Sequence, residues 1–198
     1  MTAHPPQTAE SALIAEARAG RHESFVELLG RHQDRLFNSL YRMTSNYDDA
    51  AEILQETSLR AFRSLRTFQG RSSFYTWLFS IAHSLLVSRK RHKTPLSIFA
   101  PYPHCSRNSD QEEPEPLHLP DNRSNPVNVL TEREKSIRIH QAIQSLDEEL
   151  RAAVILRDID GLSYEEIATA LGLAMGTVKS RIHRARTALR QRLADLVE

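Results

Sequence analysis

One cysteine in 198 residues leaves Cys105 no partner for an internal disulfide, which suits a reducing compartment. Glycine occurs only six times and nowhere forms the glycine-rich loop that cradles a nucleotide phosphate. No apolar run approaches the roughly 18 residues that a membrane-spanning helix needs. The first seven residues, Met-Thr-Ala-His-Pro-Pro-Gln, lack the basic and apolar regions of a signal peptide. The nine histidines are scattered, no pair of them has metal-site spacing, and no nucleophile motif is present. No metal, cofactor or catalytic residue is therefore expected. His32, on an apolar face, reads as a satisfied core residue and Cys105 as an exposed thiol. Alternating strand patterns are missing as well, and with so little glycine an all-α fold is expected.

What is present is concentrated between residues 163 and 193. Ser163 can cap a helix, and Glu166, three residues on, completes a capping box. Tyr164, Ile167, Ala168 and Leu171 follow at helical spacing, and Gly172 suits a left-handed helix end. A second helix puts Val178, Ile182, Ala185, Leu189 and Leu193 on one face. At 100° per residue, Ser180, His183 and Arg184 point the other way. Lys179, Arg186 and Arg190 flank them on one side, Thr177 and Arg181 on the other. From 175 to 193 there are six basic residues and no acidic one. Two helices, a tight turn and a basic second helix form the pattern of a helix-turn-helix that enters the major groove. An ordinary amphipathic helix with a solvated basic face is the alternative. It leaves the coincidence of capping, turn glycine and basic face unexplained.

Charge and proline divide the chain. Residues 1–94 carry a net charge of +4, residues 95–130 of −3, and residues 131–198 of zero with the basic side chains toward the C-terminal end. Seven of the nine prolines lie between Pro95 and Pro126, among polar and acidic residues. That density stops helices and predicts a flexible linker. Two small helical domains are expected, residues 1–94 and 130–198, joined by an acidic Pro-rich linker over 95–129. The run Asp110-Gln-Glu-Glu-Pro-Glu115 reads as a solubilising spacer or as a strip for a positively charged channel.

The first domain shows three helical stripes. Phe25, Leu28, Leu29, His32, Leu36 and Leu40 form one. A helix opened by Asp48 or Asp49 turns Ala50, Ile53, Leu54, Thr57, Ala61 and Leu65 inward and Glu52, Gln55, Glu56, Arg60 and Arg63 outward. After a loop at Phe68-Gln-Gly-Arg-Ser-Ser73, a third helix starts near Ser72 or Ser73, with Phe74, Trp77, Leu78, Ile81, Ala82 and Leu85 inward. Its end, Arg89-Lys90-Arg91-His92-Lys93, carries four definite positive charges that would attract phosphate. Tyr75 and Phe79 sit off its core face, where rings beside a basic cluster suit stacking on unpaired bases.

These segments carry a family resemblance. Asp48-Asp-Ala-Ala-Glu-Ile-Leu-Gln-Glu-Thr-Ser-Leu-Arg-Ala-Phe62 resembles the core-polymerase-binding helix of bacterial sigma factors. Phe68-Gln-Gly-Arg-Ser-Ser-Phe-Tyr-Thr-Trp-Leu-Phe-Ser-Ile-Ala82 resembles their promoter-melting segment, and residues 162–168 with 176–186 resemble their helix-turn-helix. The short two-domain layout is similar to the extracytoplasmic-function, or group 4, sigma factors, over about residues 10–94 and 130–195.

The resemblance implies a cytoplasmic bacterial sigma factor that binds core RNA polymerase and directs promoter-specific initiation without enzymatic chemistry. Asp49, Glu52, Gln55, Glu56 and Arg60 match positions that dock on the clamp helices of the polymerase's largest subunit. The −10 element would be read, and a flipped base held, by Phe68, Gly70, Ser73, Phe74 and Tyr75, with His83, Ser84, Arg89 and Arg91 further along. The −35 element would be read by Thr177, Lys179, Ser180, Arg181, His183, Arg184 and Arg186. The linker would thread toward the RNA exit path. An anti-sigma factor is the further expected partner, and it could hold the protein at the inner membrane.

Two departures stand out. Ser84 replaces the asparagine that many relatives have in the melting helix. Ala174 stands where relatives often have a serine or proline start, and a missing cap costs about 1 kcal/mol of local helix stability. The rival reading, a helix-turn-helix activator or repressor, would need a ligand, phosphoacceptor or dimerisation domain, and residues 1–94 show none.

Overall fold

The computed structural model describes residues 7–93 and 126–194, with side chains over 10–89 and 134–194. Most of the expected linker, Cys105 included, lies outside the described residues, which are helical and contain no strand. The first unit comprises α1 (Gln7–Arg18), α2 (His22–Thr44), α3 (Tyr47–Ser64), a 3-10 turn (Leu65–Thr67) and α4 (Phe74–Lys93). The second comprises α5 (Pro126–Gln144), α6 (Glu148–Val154), a π-turn (Ile155–Ile159), α7 (Tyr164–Leu171) and α8 (Met175–Arg192).

Helix starts follow capping chemistry. Asn46, rather than Asp48 or Asp49, caps α3: its side chain accepts the Asp49 N–H at 2.9 Å. Asn caps as well as Asp, and the two aspartates then sit in the first turn, where they oppose the positive end of the helix dipole. Ser73 opens α4 by accepting the Thr76 N–H at 3.2 Å. Pro126 starts α5, where its missing N–H costs nothing. Helix α1 adds to the three expected stripes; it packs on α2, with Ala17 buried and the Glu16 carboxylate accepting from Ser24 Oγ at 2.7 Å.

Helical periodicity accounts for the first unit's core. Phe25, Leu28, Leu36 and Leu40 of α2 meet Ala50, Ile53, Thr57 and Ala61 of α3 and Phe74, Leu78, Ala82 and Leu85 of α4, all buried. Leu29, Leu54, Trp77 and Ile81 lie half-buried at the edge. His32 departs from expectation. It is largely buried between Phe74 and Tyr75, yet its Nε2 makes no hydrogen bond, with the Glu10 carboxylate 3.6 Å away. Burial holds its pKa below the usual histidine value, against the pull of Glu10.

The second unit builds its core from Ile155, Leu156, Ile167, Ala170, Leu171, Val178 and Ile182. That core is continuous with the first unit's, because α7 lies against α4. Tyr75 and Phe79 are the correction here. They do not face solvent: Tyr75 is 2% exposed and Phe79 0%, and both belong to the core that the two units share. Two rings cover too much apolar area to stay wet when another helical surface is at hand.

Candidate nucleic-acid interface

The helix-turn-helix forms as its residues dictate. Ser163 Oγ accepts the Glu166 N–H at 3.1 Å, and the Glu166 carboxylate accepts the Ser163 N–H at 2.9 Å. Burial opposes the charged form of Glu166, but these bonds, with others from Ser73 and Thr76, hold its carboxyl below the usual range. Gly172 ends α7 at φ 65°, in the left-handed region where glycine is unstrained. Helix α8 begins at Ala174 with no side-chain cap. Val178, Ile182 and Ala185 anchor α8 inward, while Leu189 and Leu193 are half-buried.

The opposite face of α8 is open. Lys179, Ser180, His183 and Arg184 are exposed. Thr177 and Arg181 are half-buried at the flank. Arg181 reaches the Glu149 carboxylate at 2.5 Å, and Arg186 grips Asp158 through two bonds, at 2.5 and 3.0 Å. That grip raises the Arg186 pKa further. The face can thus offer Lys179 and Arg184 to phosphate or base edges directly, with Arg181 and Arg186 oriented by carboxylates behind them.

The residues expected at a −10 element are brought together but not presented alike. Gly70, at φ 70°, and Ser73 lie in the loop before α4, Gly70 exposed and Ser73 at the first turn of the helix. Phe68 and Phe74 are buried in a ring cluster with Trp77, with centroids 5.0 to 6.0 Å apart. Tyr75 is turned to the second unit. Ser84 is exposed. His83 is half-buried, and burial lowers its pKa, with Glu148 opposing and Arg181 reinforcing. Arg89 turns back on α3, pairing with Asp49 at 3.8 Å and with Glu52. The side chain of Arg91 lies outside the described residues.

On α3, Glu52 and Arg60 are exposed, and Arg60 bonds to Glu56 at 2.7 Å. Asp49, Gln55 and Glu56 lie along the same helix surface. Leu59, one turn beyond Glu56 and Gln55, is exposed there too, an apolar member that charge patterning did not single out. Sequence reasoning also missed Arg35, Ser39, Thr76 and Asp160, all of which face the other unit. The available signal was Ser39: a polar residue three positions after Leu36 on an apolar stripe needs a partner. Among the described residues no group of side chains could hold a metal ion, and no helix is long and apolar enough to cross a membrane.

A basic helix on a capped helix-turn-helix, joined to a second helical unit with an aromatic loop and helix, defines a two-part DNA-binding protein. Family models agree with that division. Sigma-70 region 2 matches residues 28–95, and Sigma-70, region 4 matches residues 136–189. The RNA polymerase sigma-H factor of Pseudomonas aeruginosa is 33% identical over 195 residues, covering 96% of this chain and 97% of that one. The ECF RNA polymerase sigma factor SigE of Mycolicibacterium smegmatis is 37% identical over 171 residues, 86% of this chain and 62% of that longer one. The fold is shared with a solved sigma factor, RpoE in complex with the anti-sigma factor NepR from Bartonella quintana. The TM-score is 0.62 at 24% identity, covering 87% of this chain and 98% of that one. The chain belongs to the extracytoplasmic-function sigma factors of the sigma-70 family, which direct transcription initiation to promoters.

Proposed function

We propose that this chain docks on core RNA polymerase through the outward face of α3 and reads promoters with its two units in turn. Asp49, Glu52, Gln55, Glu56 and Arg60 meet the clamp helices of the largest subunit. The loop at Phe68, Gly70 and Ser73, with Phe74, Tyr75, His83, Ser84, Arg89 and Arg91, engages the −10 element. Thr177, Lys179, Ser180, Arg181, His183, Arg184 and Arg186 engage the −35 element. Residues 1–94 and 130–198 act as the two functional domains and 95–129 as the connector. The protein works in the cytoplasm without covalent chemistry. It is kept inactive by an anti-sigma factor that can be membrane-held, a partner supported by the anti-sigma complex of the Bartonella quintana relative.

The observation that carries this reading is the open basic face of α8, set after a helix that a capping box starts and Gly172 ends. Run-off transcription with bacterial core polymerase and a genomic promoter library tests it. Protein-dependent starts that share two spaced elements support the reading. Sequence-specific duplex binding without core, and no starts, would move the protein to the activator or repressor class. Arg184→Ala should lose about 1–3 kcal/mol of −35 discrimination with core binding intact. Footprints with unchanged promoter selectivity would remove Arg184 from that role.

A further inference from the structure

Two arginines on the flanks of α8 are held by carboxylates to which promoter recognition gives no role. The Asp158 carboxylate accepts from Arg186 Nη2 at 2.5 Å and from its Nε at 3.0 Å. Glu149, on α6, accepts from Arg181 Nη2 at 2.5 Å. The two pairs lie on opposite flanks of the helix. Five residues of helix turn Arg186 about 140° from Arg181 around the axis. The buried Val178, Ile182 and Ala185 fill that arc, and the exposed Lys179, Ser180, His183 and Arg184 take the remaining one.

Asp158 has a fixed seat. It lies in the π-turn Ile155–Ile159, whose Ile155 and Leu156 are fully buried. Beside it Arg157 donates to the Leu162 carbonyl at 2.7 Å and lies 4.8 Å over the Tyr164 ring. The Leu162 N–H in turn bonds to the Leu156 carbonyl at 2.9 Å. Such π-turns often mark functional positions. An arginine carries five N–H groups in a planar fork. Asp158 takes two of them along one edge, which leaves Arg186 both N–H groups of Nη1 and one of Nη2. That end of the fork fits a phosphate, and the side chain stays 47% exposed. Exposed ion pairs add little to folding stability. A carboxylate beside a DNA-reading helix also repels phosphate. Charge alone therefore sets Asp158 and Glu149 against binding, unless what they do to the arginines outweighs it.

We propose that Asp158 and Glu149 are positioning residues for promoter DNA: they fix the forks of Arg186 and Arg181, one on each flank of α8, so that each meets a backbone phosphate on one wall of the major groove. This rests on the −35 reading of α8. A long side chain held in place before binding removes an ordering cost that would otherwise fall on association. Phosphate contacts set the register of the recognition helix and leave its outermost side chains to the base edges. Asp158, with two bonds, holds its arginine more firmly than Glu149, which has one and is itself 71% exposed.

The test measures binding of holoenzyme, assembled from core polymerase and the full chain, to a promoter duplex recovered in the run-off assay. Asp158→Asn keeps the shape and removes the negative charge. Charge alone would then tighten binding, whereas lost positioning should weaken it by about three- to tenfold. Asp158→Glu should recover part of the loss. In an Arg186→Ala background Asp158→Asn should have no further effect, because it acts through that arginine. Duplexes with a single −35 phosphate replaced by an uncharged methylphosphonate give a local readout that a folding defect would not produce. One phosphate should lose its importance in Arg186→Ala, and another, on the opposite strand, in Arg181→Ala. Asp158→Asn should weaken the dependence on the first alone, and Glu149→Gln, by a smaller factor, on the second alone. Equal or tighter binding by Asp158→Asn, or equal weakening at both phosphates, overturns the proposal. Should Asp158→Asn lose its helical circular dichroism, Glu149→Gln, at the more exposed carboxylate, carries the test with the same signs. Binding that needs the −35 element but neither phosphate overturns this inference and leaves the −35 reading standing. A run-off assay without protein-dependent starts removes both.

Discussion

The two faces assigned to DNA differ in chemistry and therefore in fate. On α4 the face is aromatic, and it is covered: Tyr75 and Phe79 are buried, and Tyr75 Oη donates to Asp160 of the second unit. On α8 the face is cationic, and it stays in water: Lys179 and Arg184 are exposed. Burying a cation without a partner is costly, whereas leaving two aromatic rings wet forfeits a large apolar contribution. A surface built to stack on unpaired bases thus needs a substitute cover when no base is present. A surface built for phosphates does not, because water and counterions serve until DNA displaces them. The comparison assigns the first face a protein partner within the chain and the second none.

The largest expected effect lies on that contrast. Phe79→Ala should cost about 3–5 kcal/mol, the loss typical of a fully buried phenyl ring. Lys179→Ala should stay within about 0.5 kcal/mol, as exposed substitutions do. Denaturant unfolding of both variants measures this. A small loss for Phe79→Ala would mean that the α4 face is not held covered in solution, and the contrast between the faces would collapse.

The same contrast explains what could be read from residues alone. Stripes such as Leu28-Leu36-Leu40 and Ala50-Ile53-Ala61 are local in sequence, so helical period located them and their inward faces. The capping box at Ser163 and Glu166 and the turn at Gly172 are equally local, and both formed as expected. The start of α3 shifted to Asn46 because three neighbouring residues, Asn46, Asp48 and Asp49, are all competent caps. What stayed hidden is pairing across the chain. Asp160 meets Ser39 at a separation of 121 residues and Tyr75 at 85, and no spacing rule reaches that far. The amphipathic period of α4 marks one inward face; it does not announce a second one supplied by α7.

An intermediate effect is expected where the two helices of the helix-turn-helix are started differently. Helix α7 has a reciprocal capping box, whereas α8 starts from Ala174 with none. Ser163→Ala should cost about 1 kcal/mol. Ala174→Ser should gain about 0.5 kcal/mol, by giving a free N–H of the first turn an acceptor. Thermal unfolding checks both signs. An unchanged midpoint for Ala174→Ser would mean that the first turn of α8 is already satisfied by water, and that the missing cap carries no penalty for the −35-reading helix.

The smallest expected effect is a pH dependence at the covered face. Burial lowers the His83 pKa from its ordinary 6.5, with Glu148 opposing and Arg181 assisting, and burial lowers His140 and His32 as well. A histidine with a depressed pKa in the folded state is protonated more readily when released. Its contribution is therefore fully present above 6.5 and is lost as pH falls through the window below that value. Asp160 runs the other way: burial raises its carboxyl above the ordinary 3.8, so protonation favours the folded arrangement, in a window that starts near that value. On acidification from neutral pH the histidines lower the unfolding temperature, and protonation of Asp160 opposes the fall. His83→Gln should flatten the decline just below 6.5 only in part, since His83 is half-buried and screened and two other histidines remain. If His83→Gln leaves the decline unchanged, the acid sensitivity belongs to His32 and His140. The α4 face would then be held by apolar contact and the Asp160 cluster alone, and the contrast with the solvated face of α8 would be sharper still.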